Sequence, residues 1–224
     1  MHLFYKTLIS YFIISGFSVA NAGVIVGGTR VIYDGNKKEA SLSVNNPDDT
    51  AYLIQSWVES PDNGTEKAPF IITPPLYRLD KGQKNVERIL LAGELPQNKE
   101  SLYWLNIKAI PSAPHKNNAL QIAVKTRIKL IFRPAALKGM LPEEEAVKLT
   151  WQRSGNSIQV NNPGSLVINF NEITVDGKKL NNVSYVLPGS SAKFDLPNEI
   201  KNGDVMFKVI NDYGGIGDAH KARI

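Results

Sequence analysis

Between residues 120 and 132 the chain alternates. Leu120, Ile122, Val124, Ile128 and Leu130 fall on one parity, and Gln121, Lys125, Arg127 and Lys129 on the other. A period of two predicts a β-strand with one apolar face. Thirteen residues at about 3.3 Å each would span roughly 43 Å, about twice a usual strand. Pro134 has no amide N–H to give and ends the ladder. Such a face has two readings. It packs on its own domain's core, the reading that periodicity alone favours, or it lies at a sheet edge and offers its row to another chain. Natural edges are usually short or interrupted by charge, so a long apolar one calls for a partner. Periodicity does not choose between the two.

Strand-length apolar runs recur before this stretch, at residues 24–26, 31–33, 40–44, 52–58, 70–72, 77–79, 85–92 and 102–110. Gly27-Gly28, Asp34-Gly35, Asn45-Asn46-Pro47, residues 60–64 and Lys81-Gly82 punctuate them. No amphipathic helix of convincing length intervenes, so the pattern predicts an antiparallel, immunoglobulin-like β-sandwich. Residues 135–145, with Gly139, Pro142 and three successive glutamates, read as a linker or a short helical turn. The pattern then restarts at 147–152, 157–160, 166–173, 183–187, 192–196 and 205–210, with a hairpin signal at Asp176-Gly177. A second, smaller β domain follows, and the fold class is all-β.

Residues 1–22 stand apart from this pattern. Lys6 precedes an apolar run from 8 to 19, and Ala20-Asn21-Ala22 sets small residues at the −3 and −1 positions of a cleavage site before Gly23. That is the pattern of a secretory signal peptide, and the run is shorter than the roughly 20 residues of a membrane span. No later segment is long and apolar enough to span, so the mature chain is expected outside the cytoplasm and not inserted in a membrane.

The chain carries 26 Lys and Arg against 21 Asp and Glu. Losing Lys6 leaves 25 basic residues and a net charge of +4 on 202 residues. The charges are interspersed, with no basic run or basic helix, which argues against nucleic acid as the partner. There is no cysteine, so burial rather than disulfides must stabilise the exported chain. Of the three histidines, His2 lies in the leader and His115 and His220 in polar segments, without metal-ligand spacing. Neither a Gly-x-Ser-x-Gly elbow nor a phosphate loop is present, and Glu143-Glu144-Glu145 reads as a solvated charge run. The sequence offers no catalytic constellation, no metal set and no cofactor motif, so the protein is expected not to be an enzyme.

Five segments share one further property. They are Thr29-Arg30-Val31-Ile32-Tyr33; residues 74–79 through Gly82-Gln83; residues 100–106 with Ala109-Ile110-Pro111; the central 120–134; and Asn211-Asp212-Tyr213-Gly214-Gly215. In that order and spacing the chain resembles the periplasmic pilus-assembly chaperones of the chaperone–usher pathway, the PapD/FimC-like family, from Gly23 to its end. The resemblance implies two immunoglobulin-like sandwiches in a boomerang, residues 23–137 and 138–224, joined near Pro134. It implies a chaperone that lends the central strand to an incomplete fimbrial subunit, by donor-strand complementation, and delivers the subunit to an outer-membrane usher. Leu120, Ile122 and Val124, with Ile128, would form the inserted row. The resemblance thus favours the second reading of that face. Arg30 and Lys129 match the positions that hold the subunit's C-terminal carboxylate, and Glu100, Arg133 and Asp212 match an interdomain ion network. Alternation sets Lys129 opposite the Ile122 face, so a bulge or strong twist would be needed to serve both roles on one face. The short loop 111–118 looks like the short-loop branch. Asn162-Pro163-Gly164-Ser165-Leu166 departs from the aromatics that relatives often carry there.

The alternative reading is a structural or adhesive subunit of a surface fibre. Such subunits commonly begin with a donor extension, often hold a disulfide and end near an aromatic residue. This chain has no cysteine and ends Ala222-Arg223-Ile224. A secreted carbohydrate-active sandwich would need a placed carboxylate pair, which the sequence does not offer.

Overall fold

The computed structural model describes residues 23–61, 67–112, 120–197 and 203–224. The leader at 1–22, His115 and most of the loop at 111–118 lie outside the described residues.

Two β-sandwiches follow one another. The first is built from β1 (Ile25–Val26), β2 (Arg30–Asp34), β3 (Glu39–Asn45), β4 (Tyr52–Glu59), β5 (Phe70–Thr73), β6 (Leu76–Leu79), β7 (Lys84–Leu91), β8 (Ser101–Pro111) and β9 (Val124–Arg133). Its sheets run β1-β3-β7-β5 and β2-β9-β8-β4-β6. The chain changes sheets between β1 and β2, at Gly27-Gly28. A Cβ on Gly27 would collide with the Ser43 hydroxyl and crowd the Ser43 carbonyl oxygen at 3.1 Å, so glycine lets the crossing strand lie against β3 without displacing it. Val31, Tyr33, Leu42, Val44, Ile54, Ile89, Leu105, Ile107, Leu130 and Phe132 fill the space between the sheets. All come from alternate positions of their strands, as a half-buried sheet requires.

The second sandwich comprises β10 (Thr150–Ser154), β11 (Ser157–Asn162), β12 (Ile168–Val175), β13 (Lys178–Lys179), β14 (Tyr185–Val186), β15 (Ser190–Asp195), β16 (Asp204–Ile210) and β17 (Ile216–Arg223). Its sheets run β10-β11-β15 and β13-β12-β16-β17, with β14 also on β12. Its core is separate from the first and includes Ile158, Leu166, Ile168, Phe170, Phe194 and Phe207. The connection holds a 3-10 turn at Ala135–Leu137 and a single helical turn, α1 (Pro142–Glu145). Leu137 packs into the second core.

Three expectations are corrected, and one strand lies outside them. The predicted strand at 120–132 is a ladder only from Val124 to Arg133, because β8 pairs with it no further than Ala109↔Val124. The predicted strand at 147–152 starts at Thr150, since Ala146–Lys148 form a 3-10 turn that continues α1. The glutamate run is not wholly solvated, because Glu145 is buried and pairs with Lys148 at 2.6 Å. Finally, β17 was not predicted. Its sequence Ile-Gly-Asp-Ala-His-Lys-Ala-Arg has little apolar alternation, because it closes a sheet edge and buries few side chains.

Glu87 interrupts the core of the first sandwich. Its Oε1 accepts from Ser56 Oγ at 2.6 Å and from Tyr77 Oη at 3.0 Å. Burial pushes its carboxyl above the usual range, and the two hydrogen bonds pull back.

Candidate functional site

The site begins with the pairing of β9. On one side β8 accompanies it from Val124 to Phe132 without a register shift. On the other side β2 pairs with it, in parallel, only from Arg30↔Lys129 to Asp34↔Arg133. Among the described residues, no strand pairs with the second edge of β9 from Val124 to Ile128. A row of backbone donors and acceptors is therefore open along that length.

The apolar row divides at this edge. Leu120 is 85% exposed, Ile122 65% and Val124 55%, whereas Ile128 is 7% exposed. Ile128 belongs to the core of the first sandwich with Leu130 and Phe132. Its inclusion in the presented row is corrected: the facing sheet covers position 128 and does not cover 120–124. Val124 and Ile122 line a groove of ≈ 100 Å³ with Val24, Val26 and Tyr52. The exposed end of the strand thus continues the core-facing side of the sandwich beyond its own cover.

The opposite face of the same strands carries charge. Alternation turns Val31 and Tyr33 inward and leaves Arg30 and Ile32 on the outer face, in register with Lys129 and Ile131. Ile131 packs with Leu102 and with Val167 of the second sandwich, and Ile32, Tyr185 and Leu187 close around them. Arg30 and Lys129 therefore stand side by side next to the domain junction. No bulge or register shift joins the two roles. The row and the cations occupy opposite faces, so the bulge considered from sequence is not the device used.

Like charges directly opposite each other on neighbouring strands repel. Burial, and then the Arg30 charge, push the Lys129 ammonium down to about 8. Burial likewise lowers Arg30, and Asp212 pulls weakly the other way. Arg30 Nε is buried without a hydrogen-bond partner among the described residues. Lys129 Nζ donates to Asn169 Oδ1 at 2.5 Å and lies 4.8 Å from the Tyr185 ring centre and 5.9 Å from that of Trp104. Two adjoining cations, neither paired with a carboxylate among the described residues, make a site suited to an anion.

The acid that pulls on Arg30, Asp212, is already committed. Arg133 Nη1 and Nη2 donate to the two oxygens of Asp212 at 2.5 and 2.8 Å. Arg133 Nε donates to Glu100 Oε1 at 2.6 Å, and Glu100 Oε2 accepts from the Val167 amide at 2.6 Å. The structure thus brings Glu100, Arg133 and Asp212 into one buried network crossing from the first sandwich to the second. The divergent segment at 162–166 takes part, since Ser165 O accepts from the Glu100 amide at 2.8 Å. The turn after Asp212 also reaches the first sandwich. Gly214 has φ +86°, and a Cβ there would lie 2.5 Å from Thr29 Oγ1.

Asn169, Tyr185 and Trp104 are the site residues that sequence reasoning missed. The available signal was Asn169 within Leu-Val-Ile-Asn-Phe: a polar residue in a run otherwise buried on both faces needs a specific partner. Among the described residues, no three His, Asp or Glu gather as a metal site, and no helix is long and apolar enough to cross a membrane.

Comparison with known proteins fits this geometry. The family model for the PapD N-terminal domain of pili and flagellar-assembly chaperones matches residues 23–138, and that for the PapD C-terminal domain matches 144–221. The chain belongs to the PapD-like pilus-assembly chaperones. It is 44% identical over 209 residues to the chaperone protein LpfB of Salmonella typhimurium, covering 90% of this chain and 89% of that one. It is 41% identical over 203 residues to FimC of Escherichia coli K12, covering 88% and 83%. Among solved structures it is similar to the E. coli chaperone DraB, with TM-score 0.80, 40% identity, and 89% of this chain and 95% of the other covered. It is also similar to a complex of the Salmonella enterica SafA pilin with the SafB chaperone, with TM-score 0.83, 36% identity, and 92% and 99% covered. Both sandwiches of this chaperone thus have counterparts in solved members of the family.

Proposed function

We propose that this protein is a periplasmic chaperone that binds fimbrial subunits, completes their fold with its own β9 segment and passes them to an outer-membrane usher, without catalysis or a cofactor. The observation that carries this reading is the open edge of β9, which bears an exposed apolar row at Leu120, Ile122 and Val124 and ends at Arg30 and Lys129. A strand laid on the open edge would gain backbone hydrogen bonds, and the row would fill its groove of missing side chains. Its carboxyl terminus would reach the cation pair. A chain that passes residues 124–128 and ends at Lys129 runs in the same direction as β9. β2, also parallel, begins at Arg30 and takes over the ladder where the guest would stop. Arg30 and Lys129 are then the carboxylate anchor, and Glu100, Arg133 and Asp212 hold the angle between the domains. The division at 137 and 138 belongs to the same reading; family models ending at 138 and starting at 144 support it, with Leu137 at the boundary already packing into the second core.

The test is capture of a fimbrial subunit in a one-to-one complex, measured across pH. A carboxylate beside Lys129 raises the lysine's pKa, so binding above the free value of about 8 requires proton uptake. Affinity should stay level below that pH and then fall roughly tenfold per unit above it, until the bound lysine itself titrates. Stability of the free chaperone should move the other way. The unfolded lysine keeps its proton to about 10.4, so between the two values the unfolded state binds more protons and folding gains as pH rises. Affinity that is level up to the ordinary lysine value of about 10.4 would contradict the reading.

A further inference from the structure

We propose that Asn169 is a positioning residue of the anchor, a neutral acceptor from the second domain that aims the Lys129 ammonium without cancelling its charge. The inference rests on the carboxylate-anchor reading and adds to it the contribution of the second domain. Asn169 is 2% exposed, lies in β12 and pairs across the ladder with Tyr185 of β14. Its Oδ1 takes one of the three ammonium hydrogens of Lys129. The Tyr185 ring faces the same ammonium, so one cross-strand pair of the second sandwich supplies both contacts.

The choice of an amide is the informative feature. A carboxylate at 169 would be the first counter-ion of Lys129, and a guest carboxylate would then meet a neutralised pair and a like charge. Among the described residues, the acid with an electrostatic pull on Arg30 is Asp212, and both its oxygens are held by Arg133. Beside the cation pair, Asp212 is thus engaged by Arg133 and the acceptor of Lys129 is neutral. The buried lysine is oriented and its charge stays available. Because the acceptor comes from β12 and the cations from β2 and β9, the anchor is assembled across the domain junction and depends on the two sandwiches being held together.

The experiment uses the full mature chain and a synthetic strand peptide of alternating Val and Thr, prepared with a free carboxyl terminus and with a terminal amide. Binding of both peptides is measured for wild type, Asn169→Asp and Asn169→Ala, and Lys129 is titrated by NMR at its Cε. Wild type should prefer the free acid. Asn169→Asp should weaken the acid by roughly tenfold or more, leave the amide peptide unchanged and raise the Lys129 pKa. Asn169→Ala should weaken the acid less, because the ammonium loses its aim and keeps its charge. Equal acid preference in wild type and Asn169→Asp, with Lys129 titrating alike, would overturn the inference while the anchor stands. Loss of both peptides in Asn169→Asp would show a structural role and also overturn it. If wild type binds acid and amide alike, the anchor reading fails, and this inference with it.

Discussion

Replacing Ile122 by Asp should abolish recovery of the fimbrial subunit and leave the chaperone's own melting transition in place. Ile122 is mostly exposed in the free chain, so the new carboxylate stays hydrated until a guest arrives. In the complex it would enter an apolar groove unpaired. That forfeits about 1.5–3 kcal/mol of side-chain burial and adds the cost of desolvating a charge. Ile128→Asp gives the contrast. The same substitution six positions along β9 puts the charge into the first core, and that variant should lose its cooperative transition. Co-expression with the subunit, pull-down and melting curves separate the cases. If Ile122→Asp melts as early as Ile128→Asp, the row is core after all.

Removing either cation of the anchor should cost capture without costing the fold. A guest carboxylate between Arg30 and Lys129 would be partly desolvated, and truncating one partner of such a pair costs roughly 2–5 kcal/mol, a factor of tens to thousands in affinity. Lys129→Met should fail like Lys129→Ala, since it keeps the stem and loses only the charge. The free variants should stay folded, because each relieves the repulsion between Arg30 and Lys129, which in the Lys129 variants offsets the lost hydrogen bond to Asn169. Lys125→Ala is the suitable control, as Lys125 is exposed. Arg127 is not a suitable control, because it stacks 4.3 Å over Trp104 and pairs with Glu59 at 3.5 Å. Capture at the wild-type level by both anchor variants would mean that the carboxylate is held elsewhere.

The strands that bury one face were legible, because alternation reports burial. Val31 and Tyr33 in β2, Leu105 and Ile107 in β8, and Leu130 and Phe132 in β9 were all readable as inward positions. β17 was not, since an edge strand that buries little leaves no period to read. Alternation also could not tell Ile122 from Ile128. Both have the same parity, and what separates them is how far the facing sheet extends, which is a tertiary fact. The pairing of Arg30 with Lys129 needed the parallel register of two strands about 100 residues apart, and Asn169 needed the approach of a second domain. The five family segments pointed to the cation positions; the neutral partner that leaves those cations uncompensated is visible only in three dimensions.

Hydrogen–deuterium exchange of the chaperone, free and with its bound fimbrial subunit, tests the central claim most directly. Among the strand edges that could receive a guest are the open side of β9 at residues 124–128 and β17, which ends its sheet. Amide exchange reports which one acquires backbone partners. The account predicts that binding slows exchange across residues 120–128 and leaves Ile216–Arg223 unchanged. Protection along β17 with no change at 120–128 would contradict it.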